Sequence, residues 1–223
     1  MRPQEHVISH SQQSAVATNK VIRNTYMLLS MTLAFSALMA FVSMRFNWPH
    51  PGLMLTLVGY FGLLFLTHKL ANSAWGILSV FALTGFMGAT LGPIISAYVT
   101  VFSNGDQLVM QAFGGTAAIF IGLSAYALTS RKDFSYMGGF LVAGILVAFL
   151  AGLGAFLFSI PALSLAVSGA FVLLMAGLIL YETSNMIHGG ETNYILATVT
   201  LYVAIYNLFT SLLHILGAVS GED

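Results

Sequence analysis

Residues 136–158 read YMGGFLVAGILVAFLAGLGAFLF, a run without a single charged side chain. A helix of roughly 20 apolar residues crosses the hydrocarbon core of a bilayer, so this run predicts a membrane-spanning helix. Comparable apolar runs occupy most of the chain on both sides of it. They cover about residues 25–46, 52–67, 74–102, 107–129, 162–187 and 194–217. The sequence therefore predicts seven spans.

The overall composition supports a membrane protein. Of the 223 residues, 58% are hydrophobic and 6% are charged, and the mean hydropathy is +0.90. A soluble domain carries about 25% charged residues, so the chain cannot build a water-soluble surface. We predict an all-α membrane protein with three parts: a flexible polar cytoplasmic tail at 1–24, a seven-transmembrane-helix bundle at 25–217 and a short acidic C-terminal tail at 218–223.

Two features inside the spans concern helix shape and packing. Gly92-Pro93 lies within the third apolar run and predicts a kink or a break there. Small residues also recur four positions apart, which favours close helix packing. The pairs are Gly85 with Ala89, Gly88 with Gly92, Ala118 with Gly122, and Ala148 with Gly152. Such pairs can face helices of the same chain or a second copy, and we favour the same chain.

The orientation follows from the positive charges, because short cytoplasmic loops retain lysine and arginine. Seven spans put six of the seven basic residues on one side of the membrane, and Arg45 alone on the other. The six are Arg2, Lys20, Arg23, Lys69, Arg131 and Lys132. We therefore expect a cytoplasmic N-terminus and a C-terminus on the opposite side.

Several classes of function are disfavoured by the residues present. The formal net charge is zero, so the chain lacks a basic footprint for nucleic acid, and it contains no cysteine. The six histidines show no zinc-binding spacing, so no metal site is predicted. Ser124 lies in the sequence GLSA, which lacks the second glycine of the GxSG nucleophile motif, and we interpret it as a packing residue. His214 is interpreted as a hydrogen-bonded or interfacial group. No catalytic residue is expected.

Glu182 is the strongest candidate for a functional group. It lies in the sixth apolar run, where a carboxylate is unfavourable unless it is paired or protonated. It either reaches the membrane interface or an internal hydrogen bond, or it forms a proton or cation site. Candidate partners are Lys69 and His68 at the end of the second span, which could form a salt bridge with it, and Asn207 in the seventh. Supporting hydroxyl groups are expected from Tyr181, Tyr202 and Tyr206.

Three sequence blocks together resemble motifs of the Bax inhibitor (TMBIM) family. The first is AYALTSRKDFS at 125–135, whose basic pair and aspartate are Arg131, Lys132 and Asp133. The second is YET at 181–183, where the family has Tyr-Asp-Thr. The third comprises LY at 201–202, NLF at 207–209 and LLHILG at 212–217. The order and spacing of these blocks, together with the seven predicted spans, extend the resemblance over most of the chain beyond the N-terminal tail.

The resemblance implies a seven-helix bundle whose last helix is enclosed by the other six, with no enzymatic activity and no cofactor. Some family members are calcium-leak proteins with a pH-sensing pair of acidic residues in the sixth and seventh helices. Glu182 matches the first position, whereas the second falls on Ala204, which cannot titrate. This departure favours the bacterial branch whose members modulate the FtsH protease.

The resemblance thus implies a multi-pass protein of the bacterial inner membrane with a periplasmic C-terminus. Its expected partners are the lipid bilayer, an FtsH-type membrane AAA protease and the membrane proteins associated with that protease. The polar leader is a handle that such an ATPase could grip, while a tightly packed bundle would resist extraction. The alternative is a pH-sensitive calcium or cation leak channel that uses Glu182, with calcium or protons as its ligands.

Overall fold

The computed structural model describes the backbone of residues 4–221 and the side chains of residues 16–221, and within that part it is a bundle of seven helices. The helices are α1 (Gln4–Arg45), α2 (Leu53–Leu70), α3 (Trp75–Val101), α4 (Gly105–Ser130), α5 (Gly138–Leu157), α6 (Pro161–Ile187) and α7 (Tyr194–Ser220). A short 3-10 turn, Ser135–Met137, precedes α5. All seven helices contain a segment long and apolar enough to cross a membrane, which confirms the predicted spans.

The two predicted tails fall partly outside the described residues. Helix α1 begins at Gln4, and its apolar part, Val16–Arg45, starts earlier than the predicted residue 25. The mobility of the leader at 1–24 therefore stays a prediction. At the other end, α7 continues to Ser220, while Glu222 and Asp223 lie outside the described residues.

Helix α7 forms the centre of the bundle. More of its apolar segment is buried than that of any other helix, and the fully buried side chains of Leu201, Tyr202 and Leu208 belong to it. It packs against α1, α3, α4 and α6, while α2 packs mainly on α3 and α5 mainly on α6. The enclosure of α7 by all six other helices, which the resemblance implied, is therefore not confirmed.

The closest helix contact joins α1 to α3. A Cβ atom added at Gly88 would lie within 3.0 Å of the backbone carbonyl of Ser36, and one at Gly92 would meet the carbonyl of Ala40 equally closely. Only glycine permits this approach of two backbones. The interpretation that small residues pack helices of the same chain is confirmed for these two positions. Gly122, by contrast, has open space around it.

Helix α3 is continuous through Pro93, so the predicted break does not occur. Proline has no backbone N–H and leaves the carbonyl four residues earlier, that of Ala89, without its helical donor. The hydroxyl of Ser43 on α1 donates to this oxygen at 2.8 Å. A side chain from a neighbouring helix therefore replaces the missing hydrogen bond, as membrane helices with internal proline require.

We expect Ser43→Ala to lower the free energy of unfolding in mixed micelles by about 1–3 kcal/mol, because the carbonyl of Ala89 is left buried without a donor. In a Pro93→Ala background the restored N–H supplies that donor, and the same substitution should then have a smaller effect. Ser30→Ala is the matched control, since Ser30 is exposed and bonds within its own helix. Equal effects of Ser43→Ala in both backgrounds would contradict this account.

Candidate functional site

Five of the six basic residues that the sequence grouped on one side lie at one end of the bundle, which we call the basic end, and the sixth, Arg2, lies outside the described residues. Within the described part, this end comprises the start of the apolar part of α1 and the loops α2–α3, α4–α5 and α6–α7. The YET motif lies in the last two turns of α6, near this end. Residues Tyr181, Glu182, Thr183 and the following Ser184 point in different directions, since successive helix positions are rotated by about 100°.

Two of these side chains attach α6 to its neighbours. The ring of Tyr181 lies beside Gly138 at the start of α5, where an added Cβ would come within 3.1 Å of it. The hydroxyl of Thr183 forms a hydrogen bond of 3.2 Å with that of Tyr26 on α1. Thr183 is fully buried, so this bond is protected from water. The motif therefore joins α1, α5 and α6.

Ser184 fixes the loop motif predicted at Arg131, Lys132 and Asp133. Its buried hydroxyl accepts the N–H of Phe134 at 2.9 Å and lies 3.1 Å from the carbonyl oxygen of Lys132, to which it donates. These two bonds satisfy the N–H of Phe134 and the carbonyl of Lys132, which follow the end of α4 and have no partner within a helix. The sequence interpretation did not include Ser184, although it directly follows the YET motif.

The three loop residues themselves are exposed and have separate roles. Arg131 ends α4 in the left-handed conformation, with φ of 49°. The Nζ atom of Lys132 lies 5.9 Å above the ring of Tyr126. The carboxylate of Asp133 accepts the N–H of Ser135 at 2.8 Å, and this bond lowers the pKa of Asp133 below its usual value. The loop is thus an ordered, charged turn docked on α6.

Asn193 closes the adjacent loop. Its side-chain oxygen accepts the N–H of Ile195 at 2.9 Å and caps α7, while its amide nitrogen donates to the carbonyl of Ala71 at 3.1 Å and to Asn72 at 2.9 Å. The start of α7 is therefore tied to the loop between α2 and α3. The sequence interpretation also missed this residue, although an asparagine directly before a helix is a common cap.

Glu182 is 5% exposed, and its Oε1 atom has no hydrogen-bond partner among the described residues. The proposed salt bridge to Lys69 or His68 is absent from this part of the chain. Lys69 is exposed, and Nδ1 of His68 bonds instead to the carbonyl of Leu64 on its own helix. Helix α2 packs mainly on α3, which explains why the end of α2 does not reach α6.

The other predicted partners of Glu182 serve different contacts. The amide of Asn207 donates to the carbonyl of Val203 on its own helix at 2.8 Å. The hydroxyl of Tyr202 lies 2.7 Å from that of Ser36 on α1 and donates to the carbonyl of Thr84 on α3. The Tyr202 contacts hold α7 against α1 and α3. These side chains are not brought to the carboxylate of Glu182 by the fold.

Tyr206 adds a second link of the same kind, since its hydroxyl lies 3.3 Å from that of Thr90 on α3. Ala204, the position at which the resemblance places the second acid of the pH-sensing pair, is a fully buried apolar side chain. Among the described residues, no group of three His, Asp or Glu side chains is placed to hold a metal ion.

The remaining candidates from the sequence lie away from the YET motif. Nδ1 of His214 forms a hydrogen bond of 2.7 Å with the hydroxyl of Ser168 on α6, in agreement with its interpretation as a hydrogen-bonded group. Ser124 is buried, and its hydroxyl has no partner within the described part of the chain. Its burial agrees with a packing role.

The fold and these contacts define a polytopic α-helical membrane protein whose polar motifs join helices at the core and at the basic end. Residues 18–221 match the family model described as "Inhibitor of apoptosis-promoting Bax1". This chain belongs to the Bax inhibitor family.

Named relatives support the assignment over nearly the whole length. The chain is 55% identical over 214 residues to "Modulator of FtsH protease YccA" of Escherichia coli strain K12, which is 96% of this chain and 97% of that protein. The same identity and coverage hold for "Inner membrane protein YccA" of a second Escherichia coli strain. "Protein lifeguard 4" of Mus musculus is 32% identical over 208 residues, or 89% of this chain and 85% of that protein.

We expect Glu182→Gln to leave the melting temperature in detergent nearly unchanged, because the substitution removes no ion pair. Breaking a buried ion pair by removing one partner would instead lower stability by about 3–5 kcal/mol. Lys69→Gln should likewise leave the melting temperature nearly unchanged, and in the double variant the effects of the two substitutions on stability should simply add. A large loss of stability in either single variant, together with non-additive losses in the double variant, would show that the salt bridge forms.

Proposed function

We propose that this protein is a non-enzymatic, multi-pass inner-membrane protein that binds an FtsH-type membrane protease and inhibits it. The observation that carries the proposal is 55% identity over 96% of this chain to a protein named as a modulator of that protease. In this proposal the basic end faces the cytoplasm, because positive charges are retained on that side, and the C-terminus is periplasmic.

The length of α1 supports a handle at the N-terminus. The helix has 42 residues, Gln4–Arg45, which correspond to about 63 Å at 1.5 Å per residue. The hydrocarbon core is only about 30 Å thick. The apolar part of the helix begins at Val16, so residues 4–15 extend beyond it. Residues 4–15 lie N-terminal to all seven spans. An ATPase that grips them at the cytoplasmic face would pull this part of the chain first.

The packing of α1 supports resistance to that pull. Three side chains hold it along its length: Tyr26 to Thr183 of α6, Ser36 to Tyr202 of α7, and Ser43 to a carbonyl of α3. The backbone contact at Gly88 and Gly92 adds dispersion contacts over the same face. A protease that grips the leader must break all of these before the chain can be extracted. A substrate that is gripped readily and extracted slowly acts as a competitive inhibitor.

We expect deletion of residues 3–18 to leave the melting temperature in detergent unchanged and to abolish inhibition of a purified FtsH-type protease acting on a reporter substrate. The matched control replaces the same residues with a Gly-Ser segment of equal length, which keeps a flexible handle and should keep the inhibition. A truncated protein that inhibits as well as the full chain would show that the leader is not the handle.

One observation favours a second candidate function, a pH-sensitive cation leak. The Oε1 atom of Glu182 is buried and has no partner among the described residues, and intramembrane ionisable groups are functional by default. We expect no calcium flux in dye-loaded liposomes if the protein is only a modulator. A flux that depends on pH and disappears in Glu182→Gln would establish the leak, and it would not by itself exclude binding to the protease.

A further inference from the structure

An open groove of about 590 Å³ runs between α5 and α6 on the outer surface of the bundle. Its floor consists mostly of glycine and alanine, whose small side chains leave space between the two helices. The residues that matter most are Gly144, Ala148 and Ala151 on α5, and Ala166, Ala170 and Gly177 on α6. No polar side chain lines it.

The groove opens towards lipid. Its rim is formed by large apolar side chains, among them Phe140, which is 69% exposed, and Leu173, which is 76% exposed. Side chains of this size and polarity face hydrocarbon in a membrane protein. An empty groove would forfeit dispersion contacts along its whole length, so an apolar chain of suitable width would be a favourable occupant in the bilayer.

The dimensions of the groove fit one acyl chain. The groove extends from Met137, in the 3-10 turn, along α5 to Ala151, about 21 Å at roughly 1.5 Å per residue. A single leaflet contributes about 15 Å, half of a hydrocarbon core about 30 Å thick, so the groove is long enough for an acyl chain of one leaflet. The end at Met137 lies near the basic end, because Met137 belongs to the 3-10 turn that directly follows the charged loop.

That loop supplies a site for a headgroup at the mouth of the groove. Ser184 holds the loop backbone, and it lies seven residues after Gly177, on the same face of α6 as the groove. Arg131 and Lys132 are exposed there, within six residues of Met137 along the chain. Asp133 is the acidic neighbour, and its carboxylate is engaged by the N–H of Ser135. Guanidinium and ammonium groups are suited to a phosphate.

We propose that the groove binds one acyl chain of an anionic phospholipid whose phosphate is held by Arg131 and Lys132. The ordered basic loop directly precedes the Met137 end of the apolar groove, so the order of the charged and apolar parts matches that of such a lipid. The proposal does not depend on the protease or on Glu182.

The test measures lipid retained by the full-length protein after mild purification from vesicles of phosphatidylglycerol and phosphatidylcholine. Native mass spectrometry gives the ratio of the two bound lipids. We expect Arg131→Gln with Lys132→Gln to lower the preference for phosphatidylglycerol by about fivefold for each charge removed. Ala151→Leu with Ala170→Leu fills the groove and should remove the retained lipid of both kinds.

Two controls match these variants. Lys69→Gln removes a basic side chain at the same end, on a helix that packs mainly on α3, and Ala118→Leu enlarges an exposed alanine on α4 outside the groove. Neither should change retention. An equal loss of preference in Lys69→Gln, or full retention in the groove-filling variant, would overturn the proposal.

A second protein is the competing occupant of the groove. The natural chain has no cysteine, so Ala170→Cys provides a unique attachment point for a photoactivatable cross-linker. In native membranes, cross-linking to phosphatidylglycerol supports the lipid site. Cross-linking to a polypeptide instead would show that a partner helix occupies the groove and would overturn the proposal.

Discussion

The backbone contact between α1 and α3 is the constraint on which the rest of the bundle depends. Gly88 and Gly92 let α1 approach until its own carbonyl groups lie against α3, and this distance allows the hydroxyl of Ser43 to reach Ala89. The same approach brings Ser36 to the hydroxyl of Tyr202 on α7. A larger side chain at either glycine would separate the two helices and disconnect both hydrogen bonds. The spacing of two helices thus determines the polar contacts of a third.

The bundle contains few charged side chains that could determine which helices adjoin. Hydroxyl groups determine this instead. Lipid offers no hydrogen-bonding partners, so most buried Ser, Thr and Tyr hydroxyls find one inside the protein, with Thr25 and Ser124 as exceptions among the described residues. Many of them bond within their own helix, as Thr116 does to Ala112, and specify no neighbour. Those that cross between helices are few, and Thr183, Tyr202 and Tyr206 are among them. They specify which helices adjoin and at what level, which apolar packing alone specifies poorly.

The number of helices was predictable because spans obey a length and a composition that are local properties of the sequence. Prediction from the sequence failed where the structure depends on contacts between different helices, which are not local properties. Pro93 predicted a kink or a break in its own helix, and the break does not occur because Ser43, on another helix, supplies the missing donor. Lys69 and Glu182 were placed at similar depths, yet depth carries no information about which helices adjoin. The loop at 131–135 was recognised by its resemblance, whereas its anchor, Ser184, is defined only by three-dimensional contact.

The sparse packing of α2 has a mechanical consequence. This helix has 18 residues, about 27 Å in length, which is shorter than the roughly 30 Å of the hydrocarbon core. It adheres mainly to α3, and Gly59 receives the ring of Phe86 at the contact. Longer helices such as α6 can accommodate a thicker bilayer by reducing their tilt, but α2 is too short to do so. Beside α2 the membrane thins locally or the polar side chains at the helix end, His68 and Lys69, extend to the interface, so this side of the protein is sensitive to bilayer thickness.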